Sequence, residues 1–179
     1  VFRSSSRGFT LLEVVTVIVI VGILSTMLIP AYTAVRAKVQ RVSCTGNLKN
    51  LYFAANSYTQ DRQQWPQIPA TGIRGAVYVN AWVSALEPYG IQRVSWICPT
   101  IQELMGNPDY TQGGKVRMDY QATPFRPTPK APYLKETQPW FVERGDVHGD
   151  GNLLIFASGE INSLKGVMRD DRFKRVSPF

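Results

Sequence analysis

The stretch RGFTLLEVVTVIVIVGILSTMLIP, residues 7–30, decides how the rest of the chain is read. From Phe9 to Ile29 it runs 21 residues with Glu13 as the only charged side chain. At ~1.5 Å rise per residue this run would extend ~31 Å as a helix, matching the hydrocarbon core of a bilayer. Its many Val and Ile residues would suit a buried strand, but it is far too long for one. A secretory signal peptide is the competing reading, because the preceding VFRSSSRG is short, polar and basic. The apolar run exceeds the ~7–15 residues of such a peptide, and no small-x-small cleavage site follows Ile29. The segment therefore reads as a permanent membrane span.

Outward from this span the composition changes. The 179 residues are 44% hydrophobic and 18% charged, averages that alone would suit a soluble globular protein. The charges are absent from residues 9–35 apart from Glu13, so the chain is an apolar end joined to a polar remainder. Twelve prolines and fourteen glycines, mostly in that remainder, exclude a long helical bundle and favour a loop-rich, partly β module. Two cysteines and one histidine exclude a multi-cysteine zinc module, a haem-attachment motif and a disulfide-dense scaffold. The formal charge of +7 is scattered, with no run of five like charges, so nucleic acid is not expected to be the main partner.

Flanking charge does not orient the span, since Arg3 and Arg7 lie on one side and Arg36, Lys38 and Arg41 on the other. Glu13 is more informative. A carboxylate in an apolar helix costs roughly 2.5–3.5 kcal/mol near the bilayer centre and less near the interface. Either it reaches the nearby interface, or it pairs within the lipid with a positive charge from another subunit.

Arg7-Gly8-Phe9-Thr10-Leu11-Leu12-Glu13, the apolar run, Gly22-Ile23-Leu24 and Ile29-Pro30-Ala31-Tyr32 together resemble the class III signal and N-terminal helix of type IV pilins and type II secretion pseudopilins. The resemblance implies a leader, residues 1–8, cut between Gly8 and Phe9 by a prepilin peptidase on the cytoplasmic side. It implies N-methylation of Phe9 and charge pairing of Glu13 with the Phe9 amine of a neighbouring subunit. Loss of Arg3 and Arg7 with the leader would lower the formal charge from +7 to +5. The implied partners are other pilin-like subunits in a homo- or hetero-polymer, the prepilin peptidase, an inner-membrane assembly platform and membrane lipid. The implied location is the inner membrane, single pass, with the head periplasmic, and then a filament.

Beyond Pro30 the apolar residues Val35, Val39, Val42, Leu48, Leu51, Tyr52, Ala55 and Tyr58 keep a helical rhythm. One helix from about Phe9 to about Asp61 is expected, kinked at Pro30 and locally weakened at Gly22 and Gly46. The expected organisation is leader 1–8, membrane and filament-core helix 9–30, amphipathic half of the stalk 31–61, and a globular head 62–179. In the head, residues 81–86 read as a short helix and 94–99 as an extended segment. Residues 122–139, with five prolines, read as a packed connecting loop. Strands are expected at 116–121, 140–144 and 153–157, with a weaker one at 164–168, the later ones forming an antiparallel meander. The fold class is α+β, a long N-terminal helix packed on a small antiparallel-sheet head.

Cys44-Thr-Gly-Asn47-Leu48-Lys49, Leu86-Glu-Pro88-Tyr89 and Cys98-Pro99 resemble, in patches, the bacterial pseudopilin-like proteins that end in His, nine residues and Asp-Gly. Here His148 is followed after nine residues by Ser158-Gly159, so the acidic member is missing. In an exported domain two cysteines most often pair, so a Cys44–Cys98 disulfide is expected, with two independent buried thiols as the alternative. Asp146, Asp150 and Asn152 have the alternate spacing of a calcium loop, and some related pseudopilins hold calcium late in the chain. The twelfth position of such a loop is Ala157, however, where a bidentate Glu is wanted, so a tight turn and no metal are expected. Zinc on Cys44, Cys98 and His148 would need a fourth ligand and unpaired thiols. No nucleophile motif accompanies His148, so neither catalysis nor a cofactor is expected. The reading is a pilin-like structural subunit; the alternative is a membrane-anchored binding protein or adhesin that does not polymerise.

Overall fold

A computed structural model describes residues 8–69, 72, 75–106, 108 and 116–174. Helix α1, Leu11–Arg62, is 52 residues long, within two residues of the expected bounds at each end, and Pro30 lies inside it. The chain divides into two compact units, one ending at Val39 and the other starting at Gln40, and α1 contributes to both.

In the first unit the helix is apolar on every side. A window of α1 is long and apolar enough to cross a membrane, and none of it is buried. Its hydroxyls bond back to helix carbonyls: Thr16 to Leu12 O (2.8 Å), Ser25 to Val21 O (2.7 Å), Thr26 to Ile23 O (2.7 Å) and Thr33 to Pro30 O (2.9 Å). Such bonds satisfy these serine and threonine donors within the helix, which suits an apolar solvent.

In the second unit α1 acquires an inner face. Cys44, Leu48, Leu51 and Ala55 recur at three- and four-residue steps and are fully buried. They pack in one core with Trp65, Trp82, Trp96, Tyr120, Trp140, Phe141 and Ile155. The rings meet at centroid separations of 5.0 Å for Trp65 and Trp140, 6.1 Å for Trp65 and Trp82, and 6.2 Å for Trp82 and Trp96. Trp140 Nε1 donates to Pro132 O at 2.9 Å, so the proline-rich connection is packed against the core, as expected. Among the described residues the indole N–H groups of Trp65, Trp82 and Trp96 have no acceptor. Each lost hydrogen bond costs ~1–3 kcal/mol, whereas burying 150–250 Å² of aromatic surface returns roughly 4–6 kcal/mol, so packing prevails.

The sheet is an antiparallel meander in chain order: β1 Tyr120–Ala122, β2 Pro139–Glu143, β3 Leu153–Phe156 and β4 Ile161–Ser163. The strands pair through Gln121 with Val142, Phe141 with Ile155 and Leu154 with Asn162. Four local expectations are corrected. β1 starts four residues later than read, because Asp119 instead donates its N–H to Trp96 O at 2.8 Å. Helix α2, Ala76–Leu86, begins five residues earlier than expected. Residues Arg93–Trp96 form a 3-10 turn and Pro99 opens helix α3, Pro99–Leu104, leaving only Ile97 and Cys98 extended. The weak strand at 164–168 is instead helix α4, Leu164–Arg169, because the Ser163 side chain caps it by accepting from Gly166 N at 3.1 Å. Another short helix, α5, spans Asp171–Lys174.

The β2–β3 loop, residues 144–152, is held against α4 by Leu164 N donating to Asn152 O (2.9 Å) and Lys165 N to Asp150 O (3.2 Å). Gly151 makes this approach possible: its φ is 86°, and a Cβ there would lie 2.9 Å from Leu164 Cβ. Gly151→Ala should therefore destabilise the protein by about 1–3 kcal/mol, from left-handed backbone strain and the clash together. Thermal unfolding in detergent, followed by the near-ultraviolet signal of the packed tryptophans, measures it.

Candidate functional site

Gly8 and Phe9 precede α1, and Phe9 is 87% exposed. Thr10 and Glu13 form a capping box. Thr10 N and Oγ1 donate to Glu13 Oε2 at 2.8 and 2.9 Å, and Glu13 N donates to Thr10 Oγ1 at 3.3 Å. Both donations end on Oε2, so Thr10 does not occupy Oε1. Since Thr10 N belongs to the Phe9–Thr10 peptide, a cut between Gly8 and Phe9 would leave the box whole. Glu13 thus starts the helix as well as carrying the one charge of residues 9–35, a role that the spacing Thr10-x-x-Glu13 made readable but that sequence reasoning missed.

In the head, four segments deliver four donor groups to one point. Cys44 comes from α1, Cys98 from the extended link before α3, Glu143 from the end of β2 and His148 from the β2–β3 loop. One Sγ from each cysteine, a Glu143 oxygen and a His148 ring nitrogen all lie within 4.8 Å of one another. The cysteines expected to pair are therefore neighbours, and both are free, buried thiols here rather than a disulfide. Hydrogen bonding between the thiols holds Cys44 below its ordinary pKa and, with burial, pushes Cys98 up. His148 Nε2 lies 3.3 Å from Glu143 Oε1, with the two side chains 3% and 0% exposed. Burial first, and then the Cys98 thiol facing it, pushes the Glu143 carboxyl up to about 7. Among the described residues Glu143 Oε2 has no partner in hydrogen-bond geometry.

Each segment is fixed from outside the cluster. Asn47 Nδ2 donates to Ile97 O (3.0 Å), and Cys98 N donates to Asp119 Oδ2 (2.9 Å). Asp119 is itself buried and held by Arg117, with Nε to Oδ1 at 2.7 Å; burial still raises its pKa. Asn152 Nδ2 donates to Glu143 O at 2.8 Å. Sequence reasoning missed Glu143, although its signal was present. In Trp140-Phe-Val-Glu143 the carboxylate shares the phase of Phe141, so a strand that buries one buries the other.

The proposed calcium-loop residues have other partners. Asp146 Oδ1 accepts from Gly151 N at 2.8 Å, and its Oδ2 lies 3.8 Å from Lys165 Nζ. Asp150 Oδ2 accepts from Arg41 at 2.6 Å. Asn152 is spent on Glu143. Ser158, standing where Asp was expected after His148, uses Oγ to accept from Glu160 N (3.2 Å) and closes the β3–β4 turn with Gly159.

Residues 3–29 match the family described as the prokaryotic N-terminal methylation motif. The chain is 38% identical over 64 residues to type II secretion system core protein G of Klebsiella michiganensis, covering 36% of this chain and 45% of that protein. It is 34% identical over 64 residues to the type IV major pilin protein PilA of Myxococcus xanthus, 36% of this chain and 29% of that one. It therefore spans less than half of each of these two relatives. With the core protein G of Aeromonas hydrophila it shares 32% identity over 107 residues, 59% of this chain and 72% of that protein. The chain belongs to the type IV pilin and type II secretion pseudopilin family. No solved structure matches it. In this pilin-like chain the methylation motif ends at residue 29, and the thiol cluster draws on Cys44, Cys98, Glu143 and His148, all later in the chain.

Because Arg41 and Lys165 already face the loop's carboxylates, added Ca²⁺ should leave the thermal unfolding midpoint of this pseudopilin-like protein unmoved. A site filled at a hundredfold excess over its Kd would add about 2.7 kcal/mol, an upward shift easily seen by calorimetry.

Proposed function

We propose that this protein is a structural subunit of a type IV pilus or a type II secretion pseudopilus. It is stored in the inner membrane with its N-terminus cytoplasmic and its head outside, cut between Gly8 and Phe9, methylated at Phe9 and then polymerised. The observation that carries the reading is the surface of residues 9–35, apolar on all sides and exposed along its length. Lipid covers it before assembly, and other copies or related subunits cover it afterwards. The N-terminal methylation motif and the pilin and core protein G relatives support the same reading.

In this scheme Glu13 keeps its capping bonds through Oε2 and offers Oε1 to the methylated amine of the next Phe9. Two unit charges 4 Å apart are worth about 4 kcal/mol at an effective dielectric of 20, against ~1 kcal/mol for a cap, so the ion pair dominates assembly. Removal of the leader creates the amine, and processing therefore precedes polymerisation. The remaining site residues have structural parts, Pro30 bending the helix and the head presenting its surface outside the filament core.

Glu13→Gln separates the two roles, since Gln preserves the capping acceptor and removes the charge. The variant should insert and be processed normally, giving methyl-Phe9 by mass spectrometry. Its sheared-filament fraction should fall by at least about tenfold, equivalent to ~1.4 kcal/mol. Wild-type amounts of filament from Glu13→Gln would refute the charge pairing. Retention of the wild-type protein in membranes while the assembly machinery is active would instead favour the non-polymerising anchored protein.

A further inference from the structure

We propose that Cys44, Cys98, Glu143 and His148 form a tetrahedral site for a divalent transition ion of the zinc class. The donor set is two sulfurs, one imidazole nitrogen and one carboxylate oxygen, gathered within 4.8 Å of one another and buried. Ligand atoms 2.0–2.3 Å from a tetrahedral ion stand ~3.3–3.8 Å apart, so the groups need to close by at most about 1.5 Å. Two sulfurs select a borderline-soft ion over Ca²⁺ or Mg²⁺, which take oxygen. Four protein ligands leave no open position for substrate, so the ion is structural.

A disulfide would use only two of the four groups. It would leave Glu143, fully buried, with Oε2 unpartnered and a single contact from His148 to Oε1. A buried carboxylate without adequate compensation costs several kcal/mol. An ion among the four groups supplies charge to both the carboxylate and the sulfurs, and accounts for the presence of all of them. Binding needs no oxidant: the two thiols each release a proton to solvent, as does Glu143 where it is protonated, and the sulfur electron pairs are donated to the metal.

The arrangement around the donors fits this role. Asp119 holds the Cys98 backbone, Asn152 holds the Glu143 carbonyl, and Asp146 shapes the loop that carries His148 by accepting from Gly151 N. Ligands from α1, the link before α3, β2 and the β2–β3 loop would be tied at one point, so the ion joins parts of the head far apart in sequence.

The test uses the full chain, without a polyhistidine tag, purified in detergent from cells whose free thiols are alkylated at lysis in one portion and left untreated in another. Elemental analysis of the untreated protein should give one zinc per chain, and the alkylated portion should show both thiols reduced. Replacement by Co²⁺ should give intense visible bands of tetrahedral geometry and a sulfur-to-cobalt charge-transfer band. Glu143→Gln and His148→Gln should each weaken Zn²⁺ binding by about a hundredfold or more while keeping the near-ultraviolet tryptophan signal; if either fails to fold, the cobalt spectrum of the wild-type protein decides. A chain two hydrogens short in mass, bridged through Cys44 and Cys98 and carrying no metal, would overturn the proposal. So would a reduced chain that binds neither Zn²⁺ nor Co²⁺, or one whose metal is unaffected by both folded substitutions.

Discussion

The surface of residues 9–35 is apolar on every side and, among the described residues of its own unit, has no cover. Burying one such aliphatic side chain is worth ~1.5–3 kcal/mol, so more than a dozen of them amount to tens of kcal/mol, above the 5–15 kcal/mol that holds an average domain folded. No local feature can offset that in water. The sequence around it follows from the constraint: serine and threonine hydroxyls turned back onto helix carbonyls, a capping box that occupies the Thr10 and Glu13 N–H groups, and a single carboxylate placed at the end rather than the middle. A bilayer and a polymer of similar helices are chemically equivalent covers, which is why one segment can serve as anchor and as filament core.

From Cys44 the same helix obeys a different rule. Its buried positions narrow to one stripe, and four tryptophans from separate segments pack against that stripe and the sheet. The period of 3.6 residues made the helix legible over its full length, and alternation and turn residues made β1, β2 and β3 legible, while β4 at Ile161–Ser163 was missed. What escaped was set by single local contacts. A serine cap turned Leu164–Arg169 into a helix, and a tertiary bond from Asp119 to Trp96 delayed the first strand. Neither contact leaves a periodic trace, so hydrophobic pattern alone could not find them.

The N-terminal motif was readable because its residues are contiguous and their spacing is their mechanism. The thiol cluster was only half readable. Counting cysteines and adding the exported compartment brought Cys44 and Cys98 together, which the structure also does, though as thiols. His148 was noticed and left without a partner. Glu143 was invisible because a lone carboxylate at the end of a strand looks like an ordinary solvated charge until the register places it opposite Tyr120, inside the core. The fourth donor is a property of the pairing of strands rather than of any motif.

The size of the head explains why such a junction matters. Its strands are three, five, four and three residues long, and sheets this small contribute little stability without a helix packed on them. A covalent bridge from Cys44 to Cys98 would fasten α1 to the link before α3 and leave β2 and its following loop to packing alone. An ion held by all four groups fastens those as well, and its hold depends on every segment being in place at once. It would also convert the least favourable feature of the core, a fully buried carboxylate with one unpartnered oxygen, into a ligand that stabilises it.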